Sequence, residues 1–325
     1  MLRAEDDSFH RGSSDPWWNE SAWFSFMAPE RELSGFAYMY HRPNMGYSVG
    51  AVGIWDPSGD QDHDCLFYDW SEPSPLSPDA DMYRFRLHNG LAVECLEPLQ
   101  SFRITYNGGE QYYGGAGCDL ELRYDGLLPP HDSGTPEGQT EWSVGHYEQP
   151  GRMRGVITLH GERIEIDCFS LRDHSWGPRK LVNNTRGHFP WAIASERSGF
   201  AVWARSDLDP ADDPVHGTTE TVVGGWYLRD GVYGNLSEGT VRVTERGPDG
   251  RPVEVITEAT DHLGRTLSAH GRTRNNLHWR GYPWLSMWWS QALWEFDGQQ
   301  ALGEQQDFVP VQLRRKVARS LVAAR

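Results

Sequence analysis

The chain has 325 residues, a net charge of −16 and 15 tryptophans. Its length fits one large domain or two of roughly 150 residues each. The acidic balance argues against nucleic acid and anionic membrane surfaces, both of which need basic surface.

Cationic residues are almost all arginine, with lysine only at positions 180 and 316. The four cysteines, Cys65, Cys95, Cys118 and Cys168, form no C-x-x-C pair, which argues against a zinc knuckle or redox motif. The N-terminal run Met1–Asp7 has no apolar core, so a signal peptide or membrane span is not read there. The expectation is a cytoplasmic protein with reduced thiols and no integral membrane contact.

Residues 1–20 are polar and read as a loosely held arm, with Trp17 and Trp18 able to dock on the body. Strand patterns follow at Ala22–Met27, Phe36–His41 and Tyr47–Asp56, then a loop over Ser71–Asp81. Tyr83–Leu87, Leu91–Cys95, Ser101–Tyr106 and Cys118–Tyr124 are further strands. Gly126–Gly138 reads as a long loop. Arg154–Leu159 and Arg163–Leu171 form a hairpin around His160-Gly161-Glu162.

The second half repeats this style. Phe200–Arg205 and Thr221–Leu228 alternate, Val232–Leu236, Thr240–Glu245, Val253–Ala259 and Arg265–Thr273 follow, and Trp284–Phe296 is a long aromatic segment, with turns such as Asp230-Gly231 and Asp297-Gly298. Only the tail has helical spacing, with Leu313, Val317 and Leu321 on one face. Some 16 to 20 antiparallel strands exceed one small barrel, so the chain is divided into an arm (1–20), two β-domains (21–177 and 178–310) and a C-terminal helix (311–325). A glycine-rich phosphate loop, a G-x-S-x-G elbow and an H-E-x-x-H pair are all missing, so no cofactor is expected. No H-x-H pair stands out among the 13 histidines, and no metal is expected.

The run from Arg172 to Arg179 concentrates chemistry: Asp173, His174, Trp176 and Arg179 within eight residues. It is read as the chain leaving a sheet into Gly177-Pro178. An Asp beside a His can set the imidazole tautomer and raise its basicity. The same group could instead be a hydrogen-bonded structural corner. His146 and Glu148 alternate along a strand and share a face, either as an acid–base pair or in structural pairing with Arg152 or Arg179. His188 and Trp191 form a His-x-x-Trp layout, an acid beside an aromatic wall. Glu304 and Gln305 carry a similar ambiguity.

These residues carry a family resemblance. The stretch His146–Arg152, Gly155, the motif Arg172–Arg179, the tail Trp288–Trp294 and Gly303-Glu304-Gln305 resemble the double-lipocalin proteins of the carotenoid hydratase (hydroxyneurosporene synthase) superfamily, in an uncharacterised bacterial branch. The resemblance spans about residues 20–310 and implies an all-β fold of two consecutive lipocalin-like antiparallel β-barrels. It also implies a hydrophobic cavity. Relatives hydrate carotenoid alkenes, and fungal members of the fold act as pericyclases.

Motif match assigns Asp173, His174, Trp176 and Arg179 to the site. Burial could raise the Asp173 pKa and make it an acid, with His174 as relay and His146, Glu148 and His188 as further acid–base candidates. Trp176, Trp191, Trp288 and Trp294 are expected to wall the cavity and stabilise a carbocation, with Arg179 binding substrate. The expected activity is a lyase or isomerase acting on a terpenoid-, steroid- or polyketide-like molecule. A carrier of a lipophilic ligand and a pericyclase are the alternatives. The partner is a hydrophobic small molecule, and a homodimer is compatible with this reading.

Overall fold

The computed structural model describes residues 2–77, 79–108, 117–133, 144–179, 185–207, 219–282 and 285–310, together with 316, 319 and 322. The end of the expected loop Gly126–Gly138 and most of the expected C-terminal helix lie outside these residues. Lys316, Arg319 and Val322 are helical. The chain divides into two compact units, Met1–Asp56 with Cys65–Lys180, and Pro57–Asp64 with Leu181–Arg325. Among the described residues, no helix is long and apolar enough to cross a membrane.

The first unit contains strands β1 (Trp18–Ala28), β2 (Leu33–Arg42), β3 (Tyr47–Trp55), β4 (Phe67–Trp70), β5 (Ser74–Pro75), β6 (Arg84–Arg86), β7 (Ala92–Glu97), β8 (Ser101–Tyr106), β9 (Cys118–Gly126), β10 (His131–Asp132), β11 (Gly145–Leu159) and β12 (Glu162–Pro178). They form one antiparallel sheet in the order β4-β3-β2-β1-β12-β11-β9-β8-β7-β6, with β5 added to β3 and β10 to β11. The first long strand thus pairs with the last. Among the described residues the sheet ladder does not close, but side chains bridge its two arms. The carboxylate of Asp69 on β4 accepts from Tyr106 on β8 at 2.7 Å and from Asn89 at 2.9 Å, and Asn89 also donates to the Gly50 carbonyl of β3.

One face of this sheet is lined by Phe24, Phe26, Leu120, Leu122, Ile157, Ile164 and Ile166, all buried. Alternation predicts this face from sequence, because period-2 apolar residues must share a side. Every residue of β1 is buried, so β1 is covered on both faces. The hairpin turn His160-Gly161 has φ of 51° and 84°, the double left-handed geometry of a two-residue hairpin turn.

The second unit contains β13 (Thr185–Ser195), β14 (Ser198–Asp207), β15 (Glu220–Arg229), β16 (Val232–Arg246), β17 (Pro252–Asp261), β18 (Thr266–Trp279), β19 (Leu285–Phe296) and β20 (Gln299–Pro310), closed into a barrel in chain order. Asp230-Gly231 and Asp297-Gly298 make the same positive-φ turns. The lumen is packed with Phe200, Val202, Val222, Tyr227, Val241, Leu267, Trp294 and Phe296. Pro57–Asp64 belongs to this unit: Gln61 forms a parallel bridge with His278, whose N–H donates to the Asp60 carbonyl at 2.7 Å, and Arg280 pairs with Asp62 at 3.0 Å.

Two expectations are corrected. The arm 1–20 is not loose: a 3-10 turn spans Ala4–Asp7, Asp7 is 2% exposed and β1 already begins at Trp18. Asp7, His10 and Glu20 make their polar contacts inside the first unit, which the polarity of the arm alone conceals. The motif Arg172–Pro178 does not leave the sheet. It continues β12, aided by Gly177 at φ 136°, a conformation open to glycine.

Candidate active site on the first β-domain

The β11–β12 hairpin is the scaffold of the site. Tyr147 faces His174, Glu148 faces Asp173 and Gln149 faces Arg172 across the ladder. Gly145 lies opposite Trp176, and a Cβ there would meet the indole at 2.1 Å, so the glycine makes room for the ring. Because successive strand residues point to opposite faces, Asp173 and His174 are on different sides of the sheet. They do not form the dyad expected from their adjacency.

On one face, Asp173 lies in a row that crosses four strands: Tyr38 of β2, Trp23 of β1, Asp173 of β12 and Glu148 of β11 are successive cross-strand partners. His146 Nε2 is 3.4 Å from Glu148 Oε1 and 3.8 Å from Asp173 Oδ2. Ser133 donates to Glu148. Glu148 is fully buried, whereas Asp173 and His146 keep 20% and 14% of their side chains exposed. Burial and the adjacent Glu148 carboxylate push Asp173 up to about 8, against the pull of Arg179 and Arg172. Burial, with the positive field of Arg179 and His174, pushes His146 down to about 3. At neutral pH this face therefore presents a protonated carboxyl beside a neutral imidazole. Arg179 donates to Ser175 at 2.6 Å, and Ser175 meets Ser21 at 3.1 Å, which fixes the guanidinium near the acid. Tyr38 stacks on Trp70 at 5.8 Å and extends the aromatic surface from Trp23.

The opposite face carries Arg172, His174 and Trp176. Arg172 pairs with Asp7 at 3.0 Å, donates to Gln149 at 2.8 Å and sits 4.3 Å from the centre of Phe102. Tyr147 donates to Asp7 as well. Burial alone would raise Asp7, but Arg172, Tyr147 and the Leu99 N–H outweigh it and hold the carboxyl below its usual range. The carboxylate beside His174 is Glu20 at 3.2 Å, not Asp173. Trp176 stacks on His10 at 3.6 Å with rings 6° from parallel.

The remaining candidates belong to the second unit. His188 is in the barrel lumen, bonded to Glu220 through Nε2 at 2.7 Å and to Gln305 through Nδ1 at 2.8 Å. Arg186 bridges Glu220 at 3.1 Å and Asp307 at 2.6 Å, and Arg246 joins Asp307 at 2.5 Å. Trp191 is on the outer face of the same strand and is the cross-strand partner of Glu304, which also accepts from the Trp289 indole at 2.5 Å. Burial raises Glu304 to about 8. Trp294 is a lumen core residue against Phe200 and Phe296. Trp288 is partly exposed and stacks on His278 at 4.6 Å. Trp191 and Trp294 face opposite sides of the barrel wall, so they form no common wall there. The aromatic residues aligned with Asp173 are instead Trp23 and Tyr38.

A family model described as a domain of unknown function (DUF7064) matches residues 3–305. The chain belongs to this DUF7064 family. No curated protein matches its sequence. Among solved structures, it is similar to a protein described as AttH from Nitrosomonas europaea, at 15% identity and a TM-score of 0.65 over 89% of this chain and 91% of that one. CghA is similar at 13% identity and a TM-score of 0.58, covering 91% and 88%. Kievitone hydratase from Nectria haematococca gives 13% identity and a TM-score of 0.55, covering 90% and 89%. These likenesses bear out the double-lipocalin, all-β fold of this DUF7064 member.

Several residues at these sites were not singled out from sequence. Trp23, Glu20 and Asp7 pair with β11 and β12 from more than a hundred positions away. A faint signal was present for Glu20: it falls in phase with Ala22 and Phe24, which places a carboxylate on an apolar face.

Proposed function

We propose that this protein is a lyase or isomerase of the hydratase type, with Asp173 as its general acid. The supporting observation is the Asp173 carboxyl 3.8 Å from His146 at one edge of an aromatic row, with partial solvent access to both; burial and Glu148 push Asp173 up to about 8 and burial pushes His146 down to about 3. Asp173 transfers its proton to one carbon of an isolated alkene, and the π pair forms the new C–H bond. Trp23 and Tyr38 offer ring faces to the resulting cation, each contributing about 1–2 kcal/mol when desolvated. Water adds to the cationic carbon, and His146 takes the proton that the water loses. That proton returns to Asp173 once the 3.8 Å separation closes to hydrogen-bond distance, which restores the starting state. Run backwards, the same steps dehydrate a tertiary alcohol; loss of a different proton shifts the double bond.

The substrate class is a hydrophobic terpenoid-, steroid- or polyketide-like molecule, matched to the aromatic row. The fold shared with a hydratase is in keeping with this chemistry. The test is deuterium incorporation from heavy water into a panel of such alkenes and tertiary alcohols. Wild type should label carbon, and Asp173→Asn should not, with its circular dichroism unchanged. Equal labelling by both proteins would refute the assignment.

A further inference from the structure

We propose that His10, Glu20 and His174 form a binding site for a divalent transition-metal ion of the zinc class. The proposal does not depend on the hydratase reading, because this cluster is on the face of the sheet opposite Asp173.

Three elements converge here: the arm supplies His10, β1 supplies Glu20 and β12 supplies His174. Glu20 Oε2 is 3.2 Å from His10 Nδ1 and 3.2 Å from His174 Nε2. All three ligand atoms lie within 4.8 Å of one another. Ligands bound at roughly 2.1 Å in tetrahedral geometry are separated by about 3.4 Å, so an ion could enter with little movement. Two imidazoles and a carboxylate are a donor set suited to zinc, cobalt or iron rather than to calcium or magnesium.

The surroundings hold these donors in position. Glu20 Oε1 is occupied by the Trp18 indole N–H at 2.9 Å and the His10 N–H at 2.8 Å, which leaves Oε2 to the imidazoles. His10 would ligate through Nδ1, and its Nε2 faces the Asp6 carboxylate at 3.6 Å, the outer-sphere partner typical of metal-bound histidine. Stacking on Trp176 fixes the ring. On the same face of the sheet Asp7 and Arg172 form a buried ion pair. Three protein ligands leave a fourth position open. A bound ion would also tie the arm to the sheet.

The test uses the full chain after chelator treatment. Co2+ is titrated while its visible d–d bands are followed, and Zn2+ retained after desalting is counted by mass spectrometry. One equivalent per chain is expected for wild type and for His63→Ala, a control at an exposed histidine. Glu20→Gln and His10→Ala should weaken binding roughly tenfold or more. His10 is on the arm, so His10→Ala tests the site even if Glu20→Gln misfolds. Zn2+ should also slow tryptic cleavage after Arg11 in wild type but not in His10→Ala. Failure to saturate at one equivalent, or binding and protection unchanged in His10→Ala, would overturn the proposal.

Discussion

Glu148 and Asp173 are direct cross-strand partners in the β11–β12 ladder, which sets two carboxyl groups side by side. Like charges directly opposite each other in a sheet are destabilising, and burial sharpens the penalty. The pair resolves this by keeping a proton on Asp173, whose pKa rises to about 8.

That shift has a definite pH signature. The folded pKa of about 8 exceeds the unfolded value of about 3.9, so the native state binds more protons between these limits. Stability should therefore fall as pH rises through this window, by on the order of a few kcal/mol in total. Asp173→Asn should flatten the dependence of the denaturation midpoint on pH. Turnover should fall as pH rises through about 8, and Glu148→Gln should move this limb to lower pH. An unmoved limb in Glu148→Gln would remove Glu148 as the cause.

Asp7 and Arg172 form an ion pair in which both side chains are 1% exposed. Asp7→Ala leaves a buried guanidinium without its carboxylate and should cost about 3–5 kcal/mol in denaturant unfolding. The double variant Asp7→Leu with Arg172→Met should recover most of that loss. Because the folded pKa of Asp7 is depressed, its contribution is present above the unfolded value of about 3.9 and disappears as pH falls through the folded value.

Asp307 holds Arg186 and Arg246 together inside the second barrel. Burial would raise its pKa, but Arg186, Arg246 and His188 dominate and keep it ionised far into acid. Asp307→Asn should destabilise the chain by about 3–5 kcal/mol, the loss expected when a buried pair is broken on one side. A change under about 1 kcal/mol in urea unfolding would show that the network relaxes freely.

Trp294 is fully buried among Phe200 and Phe296, whereas Leu263 is 51% exposed. Trp294→Ala should cost about 3–5 kcal/mol through the cavity it leaves. Leu263→Ala should stay within about 0.5 kcal/mol. Thermal unfolding of the two variants under identical conditions makes the comparison.

The sequence by itself marked much of the secondary structure of this protein, though not β13, β20 or the continuation of β12 to Pro178. Alternating residues marked strands such as Ser101–Tyr106, and Asp230-Gly231 and Asp297-Gly298 marked turns, because period 2 and positive φ are local properties. The sequence also marked the residues that bear chemistry, among them His146, Glu148 and Asp173. It did not say which of them meet. Asp173 and His174 are neighbours in the chain, yet continuation of β12 to Pro178 turns them to opposite faces. His174 instead meets Glu20, and Asp173 meets Trp23, because the first long strand pairs with the last. Alternation tells which side of a strand a residue takes. Strand order and register tell which residue lies beside it, and those follow from packing the whole sheet, which only the tertiary structure decided.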